Sequence, residues 1–283
     1  MEFILGCKET CLKCPYRELK CVTLIDQQGP YNEANIADCS CPCPKYQAYL
    51  AVQDPEQVKT ELATFGLDQN TETWTILMTM QKKFAGRFHK VDGLTKDEVD
   101  HWINEYLVCI EDEVREVREH LAFYTGAIQD VNHSTVELKK EIVDILHFMM
   151  DEFIVGGMNS NTLKQYYLKL YAPNVIDVKD LLKFAYESQS LVYDYQNKDK
   201  YYNTFILVNR LLDCSGKVRQ QISWKHWKKP SPTIDYDKLY AAFAETFKIL
   251  VDLFVVLNMI PDDVREIYIK KNLENIFRQK FGY

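Results

Sequence analysis

Two pairs of carboxylates, Glu113 with Glu116 and Glu141 with Asp144, have the types and spacing best suited to chemistry in this chain. Residues three apart on a helix lie on one face, so each pair offers two oxygen ligands in one direction. At the helical period Glu113 falls inside the apolar stripe between Tyr106 and Val117, and Glu116 falls on its edge. An isolated carboxylate on a burying face is costly unless a cation accompanies it. Glu141 lies close in azimuth to Ile145, with Asp144 one step around, so an acidic edge runs along an otherwise apolar helix. Two such pairs pointing at a core suit a hard cation, Mg²⁺ above all, shared with substrate phosphates. The cation neutralises phosphate charge and activates a water. The alternative is structural, with the same acids paired to Lys and Arg of neighbouring helices. Glu111, Asp112, Glu137 and Asp151 are nearby acids that could substitute in the assignment, and they read as more solvated by the same azimuth argument.

The C-terminal run YIKKNLENIFRQKFGY holds a second constellation. On a helix Lys271, Asn275 and Arg278 share one face, while Ile269, Leu273 and Ile276 share the opposite one. A Lys, an amide and an Arg in line can clamp phosphate; a basic last turn that complements the helix dipole is the plainer reading. The segment SWKHWKKP mixes rings and cations in Trp224, Lys225, Trp227 and Lys228. It can stack a base and hold phosphate, or cover the apolar edge of a helix hairpin. Gln81 and His147 sit inside apolar helical patterns, where a satisfied core polar residue is the commoner outcome.

These residues need helices to position them, and the pattern from Trp74 onward is helix after helix. The first runs about Trp74–His89 and ends at the turn VDGLT. Thr95 is the N-cap of the next, with Glu98 completing a capping box. That helix places Val99, Trp102, Ile103, Tyr106, Ile110, Val114, Val117 and Leu121 on one stripe. A third begins after Ser134 or Thr135 and runs to the stop Gly156-Gly157. It is apolar on nearly every side and reads as a buried central helix. Amphipathic stretches follow at about Val178–Tyr193, Thr204–Ile222, Tyr236–Leu257 and Pro261–Gln279. A faint repeat places Val114-Arg115 against Val218-Arg219 and Glu141 against Glu245, so two similar hairpins pack together. Glu113, Glu116 and Asp144 face Lys217, Gln220 and Lys248 in it, so only the first hairpin carries the acids.

Ten glycines and nine prolines in 283 residues are few for a large sheet protein, which again favours helices. A net charge of −7 without a long basic run excludes a general nucleic-acid binder. The start MEFILGCKETC lacks the features of a signal peptide, and no apolar run approaches a membrane span, so cytoplasm is the expected compartment. Seven of the nine cysteines (Cys7, Cys11, Cys14, Cys21, Cys39, Cys41 and Cys43) fall in a turn-rich stretch at the start. Their spacing suits structural Zn²⁺ first, an Fe–S cluster second and disulfides third. The expected organisation is a cysteine-rich metal module over residues 1–50, a linker over 51–73 and a helical domain over 74–283.

The runs EIVDILHF and WKHWKK and the ending KNLENIFRQKFGY together resemble the dimeric all-α dUTPase and dCTPase family, related to the MazG-like pyrophosphatases. The resemblance implies a helical bundle of two MazG-like hairpin halves, a homodimer, and hydrolysis of dUTP or dCTP to the monophosphate and pyrophosphate through a metal-activated water. It implies Glu113, Glu116, Glu141 and Asp144 as Mg²⁺ ligands, with Glu116 also orienting or deprotonating the water. It further implies Gln81 and His147 in the base pocket, and Lys271, Asn275, Arg278 and Tyr283 on the phosphates. The tryptophan motif departs from the family, since LAFYTGAIQD stands where a W-K-x-W-K run is expected and WKHWKK lies in the second half. The rival from another class is a non-catalytic helical interaction protein with a zinc docking module.

Overall fold

A computed structural model of the chain describes residues 51–52, 54–66, 71–122, 131–192, 200–225, 227–228 and 233–280. The seven N-terminal cysteines and Tyr283 lie outside the described residues. All regular structure among the described residues is helical, and no strand occurs among them. The elements are α1 Pro55–Ala63, α2 Thr73–Ala85, α3 Lys96–Ala122, α4 Val131–Val155, α5 Ser160–Tyr171, α6 Leu181–Val192, α7 Lys200–Arg219, α8 Tyr236–Val256 and α9 Pro261–Lys280. Among the described residues, no helix is long and apolar enough to cross a membrane.

Local chemistry explains the starts. Thr95 donates its backbone N–H to Glu98 Oε2 at 2.7 Å, and its Oγ1 accepts from the Glu98 N–H at 3.3 Å, so α3 opens on the expected capping box. Within the stretch read as a linker, Asp54 accepts from the Glu56 and Gln57 N–H groups with Pro55 in the first turn, and α1 forms there. Helix α5 lies where no amphipathic stretch was read; Asn159 caps it by accepting from Thr162 N at 3.0 Å. Its buried side is narrow, made of Leu163, Tyr167 and Leu168.

The described residues group into two compact units. The smaller joins 51–66 to 270–280, and inside it Lys280 Nζ meets Glu61 Oε2 at 2.5 Å. The larger holds the described residues up to Ile269. In the larger unit α3 packs along α4 and α7 along α8, while α3 also meets α7 and α4 meets α8. Both copies of the sequence repeat fall on these hairpins, with Val114-Arg115 in α3 and Val218-Arg219 in α7, and Glu141 in α4 and Glu245 in α8. Trp74 of α2, fully buried, lies 4.8 Å from Phe247 and 6.5 Å from Phe153, ring to ring, and so packs against both hairpins.

The two glycines at the expected stop answer to separate constraints. Gly157 adopts φ +79°, a conformation other residues rarely take. At Gly156 a Cβ would stand 2.7 Å from Phe243 Cε2 and 2.9 Å from Cζ, so the ring closes the space. Gly156→Ala should therefore destabilise the fold by about 1–3 kcal/mol through overpacking. Urea unfolding measures this, and an unchanged midpoint would show that the Phe243 ring gives way freely.

Candidate metal centre

Helices α3 and α4 run antiparallel. His120, near the end of α3, meets Glu141 early in α4, while Tyr106 and Cys109 feel the charge of Asp151 a few turns on. This arrangement points the two carboxylate pairs at one another. One oxygen each from Glu113, Glu141 and Asp144 fall within 4.8 Å of one another, with Glu141 buried and the other two half-buried. Glu116 stands beside them. Burial first and the Glu141 charge second hold its carboxyl above the usual range, while Arg115, 3.5 Å away, acts in the opposite sense. The donors are all carboxylate oxygens, which fits a hard divalent cation and offers nothing to a soft one.

The second hairpin supplies an internal comparison. Lys217, the counterpart of Glu113, ion-pairs with Glu245, the counterpart of Glu141. Lys248, the counterpart of Asp144, pairs with Asp252 at 2.6 Å. Where the second hairpin carries ammonium groups, the first carries more carboxylates.

The residues expected to bind the base form part of a buried polar network. Gln81 donates Nε2–H to Asp151 Oδ2 at 2.8 Å and accepts from the Tyr268 hydroxyl at 2.6 Å. Tyr268 stacks on His147 at 4.1 Å between ring centroids, and His147 donates Nδ1–H to Val143 O at 2.8 Å. His147 Nδ1 is also 3.9 Å from Asp144 Oδ1, which links the network to the acid cluster. Tyr268 is not among the residues the sequence points to, and Asp151 is there only as a nearby, more solvated acid. Asp151 lies one turn after His147, so its partner was within reach of the helical register.

Two readings of solvation are corrected. Glu137 and Asp151 are buried, at 2% and 6% exposure. Azimuth describes a helix with one burying face, whereas α4 packs against α2, α3 and α8.

Ser223 Oγ accepts from Lys96 Nζ at 2.9 Å, and Trp224 carries Arg219 at 5.9 Å and Lys225 at 5.0 Å over its ring. Trp227 meets Trp224 edge-on at 5.9 Å and, like Lys228, is exposed. Lys96 opens α3, about 25 Å along the helix axis from Glu113 at 1.5 Å per residue. In the smaller unit Lys271, Asn275 and Arg278 are half-buried on one side of α9, while Leu273 and Ile276 are buried on the other. There Arg278 donates to Asn275 Oδ1 at 3.4 Å and ion-pairs with Glu274.

A family model described as dUTPase matches residues 73–283, almost the span over which the sequence resemblance was read. Searches of curated proteins and of solved structures returned no match. The match takes in both hairpins and all four acids, and the chain belongs to the all-α dUTPase family of nucleotide hydrolases.

Proposed function

We propose that the chain hydrolyses a pyrimidine deoxynucleoside triphosphate, dUTP or dCTP, to the monophosphate and pyrophosphate with Mg²⁺ held by Glu113, Glu116, Glu141 and Asp144. The observation that carries this reading is the approach of Glu113, Glu141 and Asp144 to within 4.8 Å. Ionised carboxylates so close repel one another strongly in a partly desolvated site, and a divalent cation relieves that repulsion. When bound, Mg²⁺ supplies charge neutralisation to the phosphates and acidifies a water. Glu116, half-buried and raised in basicity, is suited to orient the attacking water and take its proton. Water attacks the α-phosphorus and pyrophosphate leaves.

In this reading Lys271, Asn275, Arg278 and Tyr283 hold the phosphates, and Gln81 and His147 line the base site with Tyr268 and Asp151 behind them. The two hairpins are MazG-like halves of which only the first keeps the cation ligands. Pyrophosphate release from a panel of deoxynucleoside triphosphates, with Mg²⁺ and then with EDTA, tests the proposal. Release from dUTP or dCTP that stops in EDTA is expected. No release from any nucleotide would favour the non-catalytic interaction protein.

The assembly proposed is a homodimer, as the resemblance implies. Light scattering on active protein at micromolar concentration should give twice the chain mass, and the single mass would contradict it.

Residues 1–50 are proposed as a separate zinc module. Seven cysteines with few apolar neighbours cannot form a core unaided, and segments this small rely on metal or disulfide staples. At least four thiolates should bind the ion, and removing it should unfold this segment alone. A chain beginning at Val52 keeps 52–66 and 270–280 of the smaller unit and should keep Mg²⁺-dependent hydrolysis. Elemental analysis of protein purified without chelator checks the metal. Neither zinc nor iron, with seven freely titratable thiols, would refute the module.

A further inference from the structure

We propose that His120 is a positioning residue of the metal centre, donating its Nε2–H to one oxygen of Glu141 and leaving the other oxygen to the divalent cation. This rests on reading the four acids as cation ligands. His120 Nε2 lies 3.4 Å from Glu141 Oε1, with side-chain exposures of 21% and 11%. On α3 His120 stands one turn past Glu116 and two past Glu113, so the imidazole occupies the same helix face as the acids. A carboxylate oxygen only accepts, so the proposed bond requires the proton on Nε2.

Glu141 needs such support. Its carboxylate is drawn into a cluster with Glu113 and Asp144, and the charge of Glu116 reaches it as well. Three negative neighbours push Glu141 toward rotamers that leave the cluster, and a donor on one oxygen opposes that. Asp144 also has an imidazole beside it, His147, whose Nδ1 lies 3.9 Å from its Oδ1 while giving its hydrogen to Val143 O. Both acids of α4 therefore stand beside an imidazole, one from α3 and one from α4 itself. Groups that orient metal ligands typically cost 10–100-fold in metal affinity when removed. The sequence pattern gave no reason to single His120 out. A histidine in the last turn of a helix reads as a solvated partner for the helix dipole.

The test uses the full chain, with Mn²⁺ as the probe and free Mn²⁺ read by electron paramagnetic resonance without nucleotide. His120→Ala should raise the Mn²⁺ dissociation constant by about 10–100-fold. Its thermal midpoint in EDTA should match the wild type. His120→Gln retains an N–H donor and should recover most of the affinity. Equal Mn²⁺ affinity in His120→Ala overturns the inference. So does equal weakening in both variants together with a lower midpoint in EDTA, which marks a purely structural contact. If the wild type itself binds no Mn²⁺, the reading of the four acids fails, and the inference falls with it.

Discussion

Glu141→Gln is expected to reduce triphosphate hydrolysis to background while the helical fold stays intact. Glu141 is the buried member of the cluster, and Glu113, Asp144 and Glu116 all act on it. Replacing one carboxylate oxygen with an amide nitrogen removes a ligand and one unit of negative charge. The loss should exceed the roughly 10–100-fold that follows from removing a supporting group. Stability should move the other way. Without metal the wild-type cluster repels itself, so the variant should melt in EDTA at or above the wild-type midpoint. The two readings belong together, because a misfolded variant would also be inactive. Initial rates with Mg²⁺, paired with circular dichroism melts in EDTA, separate the cases. Normal turnover by Glu141→Gln would remove the metal assignment. A strongly lowered midpoint would show that Glu141 serves the fold through His120 instead of serving the cation.

Much of this arrangement could be read from the chain because it depends on local rules. Thr95 and Glu98 are three residues apart at the start of an apolar stripe, and they form the capping box that spacing predicts. Leu138, Ile142, Val143, Ile145, Leu146, Phe148 and Met149 leave little polar surface on α4, and all but the half-buried Phe148 are fully buried. The repeat is faint in residue identities, yet both of its copies fall on packed hairpins, α3 with α4 and α7 with α8. What escaped depends on contacts across the fold. Tyr268 lies 187 residues from Gln81 and is joined to it only by packing. His120 gains its meaning from Glu141 across a connection lying outside the described residues. Asp151 and Glu137 were misjudged because a helical wheel assumes one burying side. A helix enclosed by three others buries positions all around.

That enclosure produces the second large effect. Asp151 is buried and accepts one hydrogen bond, from Gln81. Burial pushes its carboxyl up to about 8, and the Gln81 bond offsets only part of this. The unfolded chain releases this proton near the ordinary aspartate value of about 4. Between these two values the folded protein holds a proton that the unfolded chain has lost. A carboxyl raised in this way contributes its full stability below about pH 4, and the contribution falls steadily as pH rises toward 8. The slope is about 1.4 kcal/mol per pH unit. Asp151→Asn has the shape of the neutral acid, can accept from Gln81 through its carbonyl, and does not titrate. Its stability relative to wild type should therefore rise by on the order of 4 kcal/mol between pH 5 and pH 8. Glu152 is fully buried and its carboxyl is likewise raised by desolvation, but it is present in both proteins and cancels from the difference. Denaturant unfolding of both proteins at pH 5, 6, 7 and 8 measures the divergence. Curves that run parallel across that range would mean Asp151 is ionised in the folded protein, with a cation or water beside it that burial alone does not provide.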